Sequence, residues 1–147
     1  MANLVIDPTL VIASSGASTL KSTAGETILA GQPVYKADGS MFLGDANDPE
    51  KIDIAGIALH NASLGQPLSY VVSDEALEIG ADVGVGFPYV LGDEPGDISG
   101  VADLAPGHFT VMIGVGRPDN KLHINFASPS PLRSDEAIGS GEDPVAP

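Results

Sequence analysis

No window of about a dozen residues in this chain keeps apolar side chains at i, i+3, i+4 and i+7 without a glycine or proline breaking it. The 18 glycines and 12 prolines are spread over all 147 residues. Each costs a helix interior free energy, so long helices are excluded and short extended runs remain. Those runs are rich in Val, Ile and Leu and bounded by turn residues, the pattern of an all-β domain. Strands are predicted at Leu4–Ile6, Leu10–Ala13, Thr27–Leu29, Pro33–Lys36, Met41–Leu43, Ile52–His60, Leu68–Val72, Leu77–Ile79, Val83–Leu91, Ile98–Val101, His108–Gly116 and Lys121–Phe126.

Turn chemistry and alternation refine this. Asp38-Gly39 in "KADGS" is a strong hairpin signal, "GDEPGD" at Gly92–Asp97 holds a second turn, and "RPDNK" at Arg117–Lys121 a third. In "KLHINF", Leu122, Ile124 and Phe126 share one face. In "HFTVMIGV", Phe109, Val111, Ile113 and Val115 do the same. In "IDIAGIAL" the phase changes, with Ile52 and Ile54 on one face and Ile57 and Leu59 on the other, which predicts a β-bulge at Ala55-Gly56.

The chain also repeats itself. "GQPVYKADG" at Gly31–Gly39 returns as "GFPYVLGD" at Gly86–Asp93. The likeness extends on both sides, so that Gly56 corresponds to Gly114 and Tyr70 to Ile124. A four-stranded unit cannot bury both its faces, whereas two packed together form a barrel or sandwich. The expected architecture is a compact β-barrel or sandwich of two pseudo-repeated four-stranded units, at about residues 25–72 and 76–127. Residues 1–24 read as an N-terminal arm, and residues 128–147 as a flexible acidic tail rich in Pro and Ser. Within the repeats, Gly31, Pro33, Gly56, Gly86, Pro88 and Gly114 read as architectural. Glycine permits a turn or a close backbone approach, and proline suits the first position of a strand.

Chemistry-bearing motifs are sparse. The chain has no cysteine, which excludes disulfides and thiolate metal sites. Asp45, Asp48, Glu50 and Asp53 in "GDANDPEKID" have the donors for a weak cation site, but their spacing is not that of an EF-hand and Lys51 sits among them. Asp93, Glu94 and Asp97 read as a second solvated acidic loop. His60, His108 and His123 are too scattered for a metal centre, and no nucleophile elbow accompanies them. "GADVGVG" lacks the Lys-Ser/Thr of a phosphate-binding loop. No catalytic, cofactor-binding or metal-ligating residue is therefore expected, and the chain is not expected to be an enzyme.

Twenty acids against six bases give a formal net charge of −14, which opposes nucleic acid as a partner. No apolar run approaches the roughly 20 residues of a membrane span, so no membrane partner is expected. The first residues lack the positive region of a secretory signal, which points to synthesis in a cytoplasm.

The ordered set "AGETILAGQPVY", "GIALHNAS" with "GQPLSYVV", and "VGFPYVLG" followed by "ADLAPGHFTVMIGVG" resembles the small capsid decoration (cement) proteins of tailed bacteriophages, over roughly Thr23–Phe126. The resemblance implies a non-enzymatic virion protein on the outer face of the head. It implies a homotrimer whose partners are the major capsid protein and its own copies, and which bridges capsid subunits to stabilise the expanded shell. The alternative is a head-fibre or tail-tip module that binds host surface or carbohydrate.

The arm has its own logic. "NLVIDPTLVIA" holds two apolar runs broken by Asp7-Pro8. Left bare, Leu4, Val5, Ile6, Leu10, Val11 and Ile12 would invite aggregation, so they should have a partner. The candidates are the chain's own barrel, a neighbouring protomer, or the capsid surface through strand addition. These six residues are assigned to the protomer or capsid contact, with the arm mobile in the free protein and ordered on the particle.

Overall fold

The computed structural model describes residues 4–92, 94–100 and 109–125. Among these the chain is nearly all β, with nine strands and no α-helix. In chain order they are β1 (Ser18–Thr23), β2 (Pro33–Ala37), β3 (Ser40–Leu43), β4 (Ile54–Ala58), β5 (Pro67–Glu78), β6 (Pro88–Leu91), β7 (Ile98–Gly100), β8 (Met112–Arg117) and β9 (Lys121–Asn125). They form one curled antiparallel sheet in the order β3-β2-β4-β5-β9-β8-β6-β7, with β1 also pairing β5. The all-β class and the barrel-like curl match the sequence expectation.

The sheet order is the repeat made visible. The run β3-β2-β4-β5 is mirrored by β7-β6-β8-β9, and the two halves join where β5 pairs β9. Register matches as well. Pro33 pairs Ile57 and Val34 pairs Gly56, while Pro88 pairs Val115 and Tyr89 pairs Gly114. Each pairing then slips by one residue. Tyr35 faces Ile54, leaving Ala55 extra, and Val90 faces Met112, leaving Ile113 extra. The first slip is the bulge expected at Ala55-Gly56. The second explains a departure. Val111 and Ile113 are buried, but Val115 is exposed, because the bulge turns the strand over between them.

The glycines behind each bulge serve the same purpose. A Cβ on Gly56 would collide with the Val71 carbonyl oxygen, and one on Gly114 with that of His123, so each lets β4 or β8 press against the next strand. The hairpin at Asp38-Gly39 has both φ angles positive, 52° and 80°, and closes Ala37 onto Ser40.

Two cores lie on opposite faces of the first half. Adjacent residues separate between them: Ala58, Leu68 and Tyr70 join Ile28, Val34 and Met41, whereas Ile57 and Val71 join Leu77, Leu91, Ile98, Ile113, Leu122 and Ile124 from the rest of the molecule.

Several strand boundaries differ from the sequence expectation. Leu68–Val72 and the start of Leu77–Ile79 belong to one twelve-residue strand that ends at Glu78, interrupted by a register shift between Asp74 and Leu77. Val83–Leu91 is extended only from Pro88, because Gly86 has φ 80° and turns the chain. Leu4–Ile6 is irregular, and Leu10–Ala13 is replaced by a 3₁₀ turn at Pro8–Leu10 and one isolated pairing of Ile12 with Glu78. Asp7 accepts from the Thr9 N–H, and Pro8 supplies the fixed φ that starts the turn. The polar stretch Ser18–Thr23, read as part of a loose arm, is β1 and pairs β5 from Pro67 to Ser73. The tail from residue 128, and with it His108 and Phe126, lies outside the described residues.

Candidate interaction surface

The six arm residues divide cleanly. Val11 is buried, and Leu4 and Ile6 pack half-buried on the larger core. Val5, Leu10 and Ile12 face solvent. Three backbone attachments hold the segment: Leu4 N–H to Ile98 O at 2.7 Å, Asp7 N–H to Gly80 O at 2.9 Å, and a reciprocal pair between Ile12 and Glu78 at 3.0 and 2.9 Å. Of the candidate partners, the chain's own domain takes one face of the arm, and Val5, Leu10 and Ile12 stay exposed, with Asp7 and Thr9 exposed among them.

A carboxylate missed at the sequence level anchors the far end of the arm. Asp74 is 3% exposed. It accepts from the Ser14 backbone N–H at 2.8 Å, from the Ser14 hydroxyl, and from the Ala76 N–H at 3.0 Å. Burial pushes its pKa up, but the Ser14 hydroxyl, the two backbone donors and the nearby His123 outweigh this and hold it below the ordinary 3.8. The Ala76 bond lies within the β5 irregularity, so one side chain shapes the centre of the sheet and ties the arm to it.

The repeated phrase builds the same turn twice. In the first, Gly31 N–H reaches Ala58 O at 2.8 Å, Ala58 N–H reaches Gln32 O at 3.0 Å, and Gln32 N–H reaches Leu29 O at 3.3 Å. In the second, Gly86 N–H reaches Gly116 O at 2.8 Å, Gly116 N–H reaches Phe87 O at 2.9 Å, and Phe87 N–H reaches Gly84 O at 3.1 Å. Gly31 and Gly86 share the left-handed backbone, with φ 90° and 80°, and Pro33 and Pro88 each open the following strand. The surroundings differ. A Cβ on Gly31 would sit 2.7 Å from Ile6 Cγ2 and 3.2 Å from Val11 Cγ2, whereas among the described residues nothing lies within 4 Å of one on Gly86. Among these residues the arm covers the first turn and leaves the second uncovered.

The acidic loop of the first repeat is occupied with its own backbone. Asp45 accepts from the Asn47 N–H and Asp48 from the Glu50 N–H, both at 2.9 Å, while Lys51 approaches Asp48 at 3.9 Å. Between them Ala46 is fully buried against the second repeat, with its N–H on Gly92 O and its carbonyl accepting from Phe109 N–H. The loop is a joint between the repeats. Among the described residues no group of three His, Asp or Glu side chains is placed to hold a metal ion. His60 bridges Asn61 O and the Ser69 N–H. A hollow of about 250 Å³ lies beside the arm, lined by Leu10, Glu78, Gly80, Ala81, Asp82, Asp119 and Asn120. Asn120 ties its rim together through Asp82 and the Val83 N–H.

These features define a class: an acidic, curled antiparallel sheet of two equivalent halves, whose distinctive surfaces are apolar strips. No protein-family model matches the chain, and no curated protein is significantly similar to it.

Proposed function

We propose that this chain is a non-enzymatic capsid decoration protein of a tailed bacteriophage. It is made in the host cytoplasm, binds the outer surface of the head as a homotrimer, and stabilises the expanded shell by bridging major capsid subunits. The observation that carries this reading is the arm, a strip anchored to its own domain on one face and apolar on the other at Val5, Leu10 and Ile12. The ordered sequence likeness to decoration proteins points the same way, and the −14 charge suits the outside of a DNA-filled shell. A clamp across a seam adds its binding free energy to the cost of opening that seam. Modest contacts suffice when several are linked in one oligomer.

The test is cosedimentation of purified protein with emptied, expanded heads and, separately, with whole host cells. Saturable binding to heads and none to cells is expected. Binding to cells alone would make the chain a fibre or tail-tip module.

A further inference from the structure

Just past the end of β4, one rung of its pairing with β5 is built differently from the rest. In a regular antiparallel pair, two facing residues exchange both N–H···O bonds. Leu59 and Ser69 make one of them, the Leu59 N–H reaching Ser69 O at 3.0 Å. The Ser69 N–H goes instead to Nε2 of the His60 ring, also at 3.0 Å. A backbone N–H can only donate, so Nε2 carries a lone pair. The proton of the neutral ring is then on Nδ1, which lies 3.0 Å from Asn61 O and donates to it. The two partners together select one tautomer and exclude the charged ring, whose nitrogens both donate. A titratable side chain stands where the main chain would have supplied the acceptor.

We propose that His60 is a proton-operated latch on the β4–β5 connection, closed while the ring is neutral and open once Nε2 takes a proton. Histidine is the side chain whose ordinary charge change falls between pH 5 and 8. His60 is exposed, so protons reach it freely. A proton on Nε2 turns the acceptor into a donor facing the Ser69 N–H, and the bond is lost. The closed rung therefore holds only the neutral ring, so its contribution is complete at high pH and disappears as pH falls. The charges on the surrounding elements do not oppose this. Residues 54–73, which hold β4, the connection and the first half of β5, include no acid. Lys21 on β1 stands opposite Ser69. The Glu26 carboxylate, ahead of the segment that seats the connection, accepts from the Leu43 N–H at 2.8 Å. Opening is local, because the connection keeps its other ties. Ile28 and Ala62 exchange two bonds of 2.8 Å, and the Ala30 N–H reaches Asn61 Oδ1 at 2.9 Å. The latch is independent of the head as partner.

Amide exchange followed by NMR on the full chain reads the rung directly. The Ser69 protection factor is expected to fall about tenfold between about pH 7.5 and about pH 5. Val71, which pairs Ile57 further along the same strands, should keep its own. At the higher pH, the nitrogen spectrum of the ring should place the His60 proton on Nδ1. His60→Ala changes an exposed side chain and should leave the fold intact, with Ser69 weakly protected at both pH values. A Ser69 protection factor that does not change with pH, an equal fall in His60→Ala, or a ring proton found on Nε2 at the higher pH would each overturn the latch.

Discussion

Asp74 shows how much one side chain can decide. It is buried, carries the bonds that hold Ser14, and sits where β5 changes register. Hydrogen bonds to a charged group contribute roughly 1.5–3 kcal/mol each, and neighbouring losses do not add. Asp74→Ala is expected to cost about 2–4 kcal/mol in denaturant unfolding. Because its folded pKa is lowered, its contribution is complete above the unfolded value near 3.8 and is lost as pH falls through the folded value. The gap between wild type and Asp74→Ala should therefore be constant from pH 5 to 8 and shrink below about pH 4. A gap that stays unchanged down to pH 2 would show that the carboxylate charge does not matter. The turn glycines give a second test at this scale. A side chain in left-handed backbone costs about 1–2 kcal/mol, so Gly86→Ala should lose about that much. Gly31→Ala must also displace Ile6, so it should lose more and should expose the arm to protease. Equal losses at both sites would mean that the arm does not rest on the first turn.

At the scale of elements, the arm belongs both to the core and to the surface. Deleting residues 2–13 removes buried Val11 and half-buried Leu4 and Ile6, an expected loss of about 2–4 kcal/mol from apolar burial. Deletion therefore confounds folding with binding. The triple variant Val5→Ser, Leu10→Ser, Ile12→Ser changes only outward side chains and should unfold within about 1 kcal/mol of wild type. A larger loss would place those residues in the fold. Much of this was legible in sequence. The repeat, the Asp38-Gly39 hairpin and the Ala55-Gly56 bulge each rest on local chemistry that tertiary context does not override. What escaped has physical causes. In β1, "STLKST" shows no alternation because neither of its faces is deeply buried. β5 read as two strands because its bulge breaks the pattern at Asp74. Nothing in the sequence sets Asp74 apart from Glu75 beside it, and only the long-range return of Ser14 makes it an anchor. The bulge at Ile113 was readable by analogy with Ala55, but continuous alternation in "HFTVMIGV" concealed it.

At the scale of the molecule, charge and repetition meet. A formal −14 on each copy opposes association over a Debye length of about 30 Å in 0.01 M salt, and over only about 8 Å at 0.15 M. Sedimentation should show copies associating more tightly as salt is raised across that range, since screening weakens the repulsion between like-charged copies. A fall in association would mark the contact as predominantly ionic. The repeat gives two equivalent turns, and among the described residues the arm roofs one of them. The bridging role is tested most directly by heating emptied, expanded heads that lack the protein, with and without purified chain added back. The account predicts that added chain raises the rupture temperature and that the rise saturates once a fixed ratio of chain to shell is bound. Saturable binding that leaves the rupture temperature where it was would contradict it.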